Sequence, residues 1–291
     1  MPKTLYRDPD FPTTPTDHKN REIEWKRPHQ ICKNPVFVDD YGIDDIEQGC
    51  LGDCWFLASI ASICEIDKSY MNKIIPQDQN FEENYTGKFE FTFNDYGVKK
   101  TIEIDDRLPT RHGHLIYVQD KEGERQEFWM SLLEKAFAKY FGGYENIIAG
   151  NAVEALRVLM DTVAVSIKLK NKTVEDVKML LEKGQMITAS IDRWSNIHDQ
   201  SVLNGLKDGH CYTVLGHHSI KFGPHRNETL VKIYNPHGRN EWQGAWSDTD
   251  FRWNEVQDNE FYNSNFRRPK DNDDGEFWMP ISEFLEIYVA R

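Results

Sequence analysis

The segment from Cys54 to Cys64 constrains the fold more than any other part of the sequence, because it is apolar on nearly every side when drawn as a helix. A helix that is hydrophobic all round is stable only where neighbouring elements cover every face. We expect this helix to begin after Gly52-Asp53. The sequence therefore predicts a central helix, and a chain of 291 residues is long enough to bury one.

The composition indicates a folded, water-soluble protein, since 39% of the residues are hydrophobic and 12% are aromatic. The length is consistent with two domains or one large one. The 35 Lys and Arg residues are outnumbered by 48 Asp and Glu residues, which gives a net charge of −13. A field of this sign repels phosphate backbones, so we expect no nucleic acid partner.

Targeting signals and cysteine usage favour an intracellular, cytoplasmic protein. No apolar run approaches the roughly 20 residues of a transmembrane helix, and the first residues lack the apolar core of a secretory signal. Five cysteines form an odd set without a regular spacing, as expected for reduced thiols. Cys50 and Cys54 have no second ligand pair at a spacing that would complete a zinc site.

Periodicity divides the chain into a helix-rich first lobe, residues 1–160, and a strand-rich second lobe, residues 161–291. The expected fold class is α+β, with antiparallel strands in the second lobe. Helices are predicted where apolar residues recur at three- and four-residue spacing before a glycine, at Phe128–Phe141 and Val174–Lys183. Strands are predicted at Lys88–Phe93, Lys100–Ile104, Met186–Ile191, Cys211–Leu215 and Leu230–Tyr234.

Cys54 is the candidate nucleophile, because the first turn of a helix favours the thiolate through its unpaired N–H groups and its dipole. His210, which follows a glycine at the start of a predicted strand, is the candidate base. Asn235, at the end of the next strand, could orient the imidazole, and Gln48 could donate an amide N–H to an oxyanion. Taken alone, Cys54 would be interpreted as a small buried apolar residue. The order of Cys, His and Asn along the chain is instead that of papain-like proteases.

Several long segments resemble the protease core of calpains, and they follow one another in the calpain order from about Leu5 to Tyr288. The resemblance implies a papain-like fold of two lobes with the active cleft between them, and a calcium-dependent intracellular cysteine endopeptidase that performs limited proteolysis. It assigns catalysis to Cys54, His210, Asn235 and Gln48. The matching segments are residues 48–58, 127–139, 208–210, 235–248 and 274–279.

The resemblance also implies two calcium sites, one in each lobe. Oxygen ligands of this kind and number suit calcium. Without the resemblance, the same residues would be interpreted as a solvated acidic surface. In the first lobe the implied ligands are Val38, Asp40, Asp45 and Glu134, with Val38 and Asp40 contributing backbone oxygens. In the second lobe they are Glu241, Asp248, Asn272, Asp274 and Glu276.

The chain departs from the calpain pattern at a few positions. Position 237 is His where calpains usually have a Trp that covers the Asn and His pair from water, and a His there would titrate near neutral pH. The usual Gly-Gly near the lobe junction is absent from residues 159–163. Ile43 replaces a basic residue, and Cys211 replaces a small Ala. These differences predict altered lobe motion and weaker coupling between the calcium sites.

Two other functions stay open at this point. One is a calcium-responsive interaction protein with little proteolysis, and the other is a calcium-dependent transglutaminase, which Asn235 disfavours because that chemistry needs an Asp. The sequence contains no EF-hand loop, so we expect either the core alone or a short family member, with regulatory domains or a subunit elsewhere. Protein substrates and calcium ions are the expected partners.

Overall fold

The computed structural model describes residues 4–120, 126–183, 186–191, 204–256 and 273–288. The chain divides into two compact units, Met1–Ala164 and Val165–Arg291. Within the described ranges no helix combines the length and the hydrophobicity that a membrane span requires.

The helices of the first unit surround one long buried helix. Two single turns of 3₁₀ helix, Lys68–Tyr70 and Tyr144–Ile147, extend the helical part. The α-helices are α1 (Pro28–Ile31), α2 (Cys54–Asp67), α3 (Met71–Ile74), α4 (Trp129–Tyr140) and α5 (Ala152–Met160).

The described residues of the first unit also form five strands in two antiparallel sheets, β1 (Glu24–Lys26), β2 (Lys88–Asp95), β3 (Val98–Asp105), β4 (Leu108–Arg111) and β5 (His114–Leu115). Strands β2 and β3 form the predicted hairpin. A three-stranded sheet in the order β1-β4-β5 was not predicted, because its strands are very short and β1 pairs with residues far along the chain.

The core of the first unit confirms the central position of α2. Every residue from Cys54 to Cys64 is buried, so neighbours cover all sides of the helix. The ring of Phe56 stacks on Phe137 of α4, with centroids 4.1 Å apart. Phe93 of β2 packs edge-on against the same Phe137 ring. Burial of aromatic rings of this size supplies much of the hydrophobic stabilisation of a core.

The second unit is built on one four-stranded antiparallel sheet in the order β6-β7-β8-β9. Its helices include α6, which starts with a capping box at Thr173. The strands are β6 (Ile187–Ile191), β7 (His210–Phe222), β8 (Arg226–Tyr234) and β9 (Glu276–Pro280). In the part of this unit that the structure describes, the helices are α6 (Val174–Leu181) and α7 (Ile281–Tyr288), with a 3₁₀ turn at Phe251–Glu255.

Successive residues of β9 point to opposite faces of the sheet, and each face has its own core. Phe277 and Met279 belong to a cluster that includes residues of α6 and α7. Trp278, between them, packs in a second cluster with Trp246 and Trp253. A sheet covered on both faces holds its strand ends in fixed positions, and two of these ends carry the candidate catalytic residues.

Candidate active site

His210 and Asn235 lie at the same end of neighbouring strands. His210 begins β7 and Asn235 follows the last residue of β8, and the ladder pairs Thr213 with Tyr234. The two side chains meet there, with His210 Nε2 2.8 Å from Asn235 Oδ1. Both side chains are buried, and Asn235 is 0% exposed. The antiparallel pairing of β7 and β8 therefore creates this contact.

The amide of Asn235 can adopt only one orientation. Its Nδ2 donates to the backbone oxygens of Arg239 (2.7 Å) and Asn240 (3.1 Å), which are acceptors only. Its Oδ1 must therefore face His210, and it also accepts the backbone N–H of His237 at 3.1 Å. His210 Nε2 must carry the hydrogen of the shared bond, so Nδ1 is left to accept a proton.

Gly275 makes room for this arrangement. Its backbone oxygen accepts the N–H of Asn235 at 2.8 Å, and its φ is +89°. A Cβ at this position would lie 2.9 Å from the backbone oxygen of Asn235. Both the left-handed conformation and the close backbone approach favour glycine.

The environment of His210 keeps its imidazole neutral. Burial lowers the pKa of His210 to about 4, although the hydrogen bond that His210 donates to Asn235 opposes this shift. The ring of Tyr212 meets the imidazole edge-on at a centroid distance of 4.7 Å. The fixed tautomer of the neutral imidazole leaves Nδ1 able to accept a proton.

His237 covers the His210–Asn235 pair. Its ring centroid lies 4.5 Å from that of His210, and its Nδ1 lies 3.1 Å from His210 Nε2 and 3.3 Å from Asn235 Oδ1. Burial, followed by the charge of His210, lowers the pKa of His237 to about 3. The expectation that His237 titrates near neutral pH is therefore wrong, because a charged ring here would lose water and face a second imidazole.

Replacing His237 with Gln is expected to make unfolding less sensitive to acid. An unfolded-state histidine binds a proton as the pH falls through about 6.5, whereas His237 in the folded chain does not until about pH 3, so its burial costs stability progressively below about pH 6.5. Urea unfolding followed by tryptophan fluorescence at about pH 7.5 and about pH 5 measures the difference.

The matched control is His225→Gln, which removes an exposed histidine. We expect the control to lose as much stability between the two pH values as the unsubstituted chain does. Equal acid sensitivity of His237→Gln and the unsubstituted chain would contradict the buried, neutral state of His237.

Cys54 occupies the first turn of α2 in the first unit and is 9% exposed. The backbone oxygen of Asp53 accepts the N–H groups of Phe56 (2.9 Å) and Leu57 (3.2 Å). The N–H groups that precede Phe56 therefore belong to the first turn of the helix. None of the five cysteines, all of which the structure describes, forms a disulfide. The position agrees with the expectation for a nucleophile that the helix dipole favours as thiolate.

Gln48 is buried close to the start of α2. Its Nε2 donates to the backbone oxygen of Leu51 at 2.7 Å and lies 3.4 Å from Asp53 Oδ1. Its Oε1 has no hydrogen-bond partner among the described residues. In this conformation both N–H groups of the Gln48 amide are engaged within the loop, so donation to an oxyanion requires one of these two bonds to break.

Glu134, a predicted calcium ligand, lies elsewhere in the first unit, beside Asp53. Both carboxyl groups are buried, and they hydrogen-bond to each other. Burial raises the pKa of both groups. The charge of Asp53 adds to the effect on Glu134, whereas the hydrogen bond with Glu134 opposes the effect on Asp53. Two carboxyl groups in contact need a shared proton. Glu134 also accepts the N–H of Val118 at 3.1 Å. Through its contact with Asp53, Glu134 therefore stabilises the start of α2.

The structure instead brings Glu127 to the loop of Asp45. Glu127 accepts the N–H of Asp39 at 3.1 Å, and burial followed by the charges of Asp45 and Asp120 raises its pKa to about 7. Burial raises the pKa of Asp45 to about 6, although Asp45 accepts the N–H of Gly42 at 2.8 Å. Sequence reasoning missed Glu127, which is separated from the similar Glu134 only by the first turns of α4.

The remaining predicted ligands of the first unit belong to the same acidic loop. Val38 precedes Asp39 directly. The side chain of Asp40 forms an exposed ion pair with Lys68 at 2.5 Å, which is compatible with the predicted role of its backbone oxygen.

In the second unit the predicted ligands that the structure describes lie in the loop after β8, in the segment before β9 and at the first residue of β9. Glu241 accepts the N–H of Gly275 at 2.7 Å, and burial followed by the charges of Asp274 and Asp273 raises its pKa. Asp274 accepts the N–H of Glu276, whose carboxylate pairs with Lys232 at 2.5 Å. Asp248 lies in the turn between Ser247 and Asp250. Asn272 falls outside the described residues.

Each acidic loop has the donor chemistry of a calcium site without a closed cage of ligands. In the described ranges, no three His, Cys, Asp or Glu side chains are arranged to hold a metal ion. Carboxylates that raise the pKa values of one another gain stability when a cation neutralises them. These residues therefore fit calcium in charge and ligand type.

Comparisons with known proteins agree with the site. The sequence profile of a family described as "Calpain family cysteine protease" matches residues 6–290. The chain is 37% identical to the human calpain-2 catalytic subunit over 300 residues, which covers 98% of this chain and 42% of the relative. It is 36% identical to rat calpain-8 over 304 residues, covering 98% of this chain and 41% of the relative.

A third relative, calpain clp-4 of Caenorhabditis elegans, is 38% identical over 300 residues, covering 99% of this chain and 41% of the relative. The chain thus spans less than half the length of these relatives. The α+β architecture of helices and antiparallel sheets is that of a papain-like protease core, as predicted. The chain belongs to the calpain family of cysteine proteases.

Proposed function

We propose that this chain is a calcium-dependent endopeptidase that performs limited proteolysis of proteins through Cys54, His210 and Asn235. The observation that carries the proposal is the 2.8 Å contact between His210 and Asn235, which fixes the tautomer of a buried, neutral imidazole in a cysteine protease of the calpain family. We further propose that it acts in the cytoplasm, where free thiols stay reduced.

In the proposed mechanism, His210 Nδ1 takes the proton of the Cys54 thiol, and the sulfur forms a bond to the carbonyl carbon of the substrate. The imidazolium is held by Asn235 and gives the proton to the leaving amine as the C–N bond breaks. Water then attacks the thioester with His210 as its base, the C–S bond breaks to release the acid product, and His210 returns the proton to the Cys54 sulfur. The backbone N–H of Cys54 is the proposed oxyanion donor, joined by Gln48 once its amide leaves Leu51.

Calcium supplies positive charge that neutralises the repelling carboxylates of the two acidic loops. We propose Asp45 and Glu127, with the backbone oxygens of Val38 and Asp40, as the ligands in the first unit. In the second unit we propose Glu241, Asp248, Asn272, Asp274 and Glu276. Ordering of both loops would favour the conformation of the chain that is competent for catalysis.

Replacing Glu127 with Gln is expected to weaken calcium binding by the first unit about tenfold or more, because calcium affinity depends on the number of charged ligands. Isothermal titration calorimetry in a Cys54→Ala background measures binding without self-cleavage.

Glu134→Gln is the matched control for this variant, since it removes a carboxylate at the Asp53 pair without touching the Asp45 loop. We expect it to leave the calcium affinity within about twofold. The reverse outcome, a loss in Glu134→Gln alone, would restore Glu134 as the ligand.

The proposed function is tested by hydrolysis of fluorescent casein across a calcium titration, with Cys54→Ala as the blank and magnesium as the control ion. We expect cleavage that rises with calcium and is absent from the blank. Calcium binding by a folded chain without any cleavage would favour a calcium-responsive interaction protein. Incorporation of an amine into glutamine without cleavage would favour a transglutaminase. A regulatory domain or subunit beyond this sequence stays part of the proposal.

A further inference from the structure

A cavity of about 780 Å³ in the first unit lies under the arm that runs from Leu5 to Pro15. One wall is aromatic and contains Trp25 and Tyr85. Trp25 is fixed, since its Nε1 donates to the backbone oxygen of Thr14 at 2.7 Å. The volume is within the range of cavities that hold ligands. The proposed catalytic and calcium-binding residues are not among the residues that line this cavity, so its function is separate from theirs.

Three arginines, Arg7, Arg27 and Arg107, line the cavity, and none of its described lining residues is an Asp or a Glu. This is unusual in a chain with a net charge of −13. Arg7 is exposed and forms no ion pair with any residue that the structure describes. A cavity lined by several arginines and no carboxylate favours an anionic ligand.

Buried aspartates hold the guanidinium groups of the other two arginines in place. Arg27 pairs with Asp106 and donates to the backbone oxygen of Tyr6 at 2.7 Å. Arg107 pairs with Asp105 at 2.6 Å. The side chains of both aspartates are 0% exposed, so they orient the guanidinium groups without presenting negative charge to the solvent.

The carboxylate of Asp105 pairs with two cations. The buried Lys135 contacts it at 2.7 Å in addition to Arg107. Its pKa is lowered because hydrogen bonds and charge from these two cations outweigh the opposing effect of burial. The buried carboxylate therefore does not cancel the positive charge that the arginines direct to the cavity.

The edge of β1 and the aromatic wall together indicate a peptide in place of a small anion. β1, which carries Trp25, is an edge strand of its sheet in the described part of the chain. Trp25 is opposite Pro109, which has no N–H, so the backbone N–H and C=O of Trp25 point away from β4. The arm occupies this edge at Ile23, whose N–H donates to the backbone oxygen of Pro15 at 3.1 Å. Beyond that bond, at Trp25, an added extended segment could hydrogen-bond the edge, and its side chains would alternate between the arginines and the aromatic wall.

We propose that this cavity binds an acidic peptide segment that also carries apolar or aromatic side chains. The arginines would bind its carboxylates through charge-assisted hydrogen bonds, and Trp25 and Tyr85 would pack against its apolar side chains. The site acts independently of the proposed proteolysis and of calcium.

The test uses fluorescence anisotropy of a fluorescein-labelled peptide of alternating Glu and Phe with the Cys54→Ala chain. A peptide with Gln in place of each Glu is the neutral probe. We expect saturable binding of the acidic peptide only, and a loss of affinity of about tenfold or more in Arg7→Glu. Arg7 is exposed, so its replacement leaves the core intact.

Arg157→Glu is the matched control, because Arg157 is an exposed arginine of α5 that does not line the cavity. It should keep the affinity within about twofold. Three results would overturn the proposal: no binding of the acidic peptide, equal weakening by Arg157→Glu, or displacement by inorganic phosphate at the same concentration as by unlabelled peptide. The last would show a general anion site.

Discussion

Replacing Cys54 with Ala is expected to lower the rate of casein hydrolysis by on the order of 10⁴-fold or more, because the bond-forming sulfur is lost. Alanine is a strong helix former and fits the space of a small buried side chain, so α2 should persist. Hydrolysis of fluorescent casein in calcium measures the loss, and circular dichroism compares the folds.

Cys50→Ala is the matched control because it removes a thiol from the same loop. Cys50 is half-buried and its sulfur contacts Arg21 Nη2 at 3.2 Å, which makes it the competing candidate for a reactive thiol. We expect this variant to keep its rate within a few-fold. Loss of activity in Cys50→Ala with retention in Cys54→Ala would reassign the nucleophile.

The elements with strong periodicity could be predicted from the sequence. The all-apolar segment at Cys54–Cys64 became α2, and the hairpin of β2 and β3 followed from the alternation at Lys88–Phe93. Prediction was poorer where pairing decides the structure. β7 extends to Phe222, well past the predicted end at Leu215, because its ladder with β8 continues across a bulge between Val214 and Gly216.

The motif residues of the site could be predicted, but their contacts could not. The sequence predicts His210 and Asn235 as a pair, and the register of β7 and β8 is what brings them together. No spacing rule predicts that Gln48 bonds to Leu51. Glu127 and Glu134 cannot be distinguished by their sequence pattern. Glu127 precedes α4, which starts at Trp129, whereas Glu134 lies within this helix and is buried.

Replacing Asn235 with Ala is expected to lower kcat by on the order of 10²- to 10³-fold and to change KM little. The variant removes the acceptor that fixes the His210 tautomer and stabilises the imidazolium, and both roles belong to the transition state rather than to substrate binding. His237 would then be the remaining close polar neighbour of His210 Nε2, at 3.1 Å, and its nitrogen could accept that hydrogen only in part of the tautomer population. Steady-state kinetics with a fluorogenic peptide separate kcat from KM.

Asn227→Ala controls for the loss of an Asn side chain on β8, since Asn227 is exposed near the far end of the strand. Its kcat should match that of the unsubstituted chain. A purely structural role of Asn235 would instead reduce the fraction of active protein, which active-site titration of the Cys54 thiol detects, and kcat per titrated site would stay unchanged. An unchanged kcat per site in Asn235→Ala would therefore remove Asn235 from the mechanism, whereas a fall in kcat with full titration establishes that the amide acts through His210.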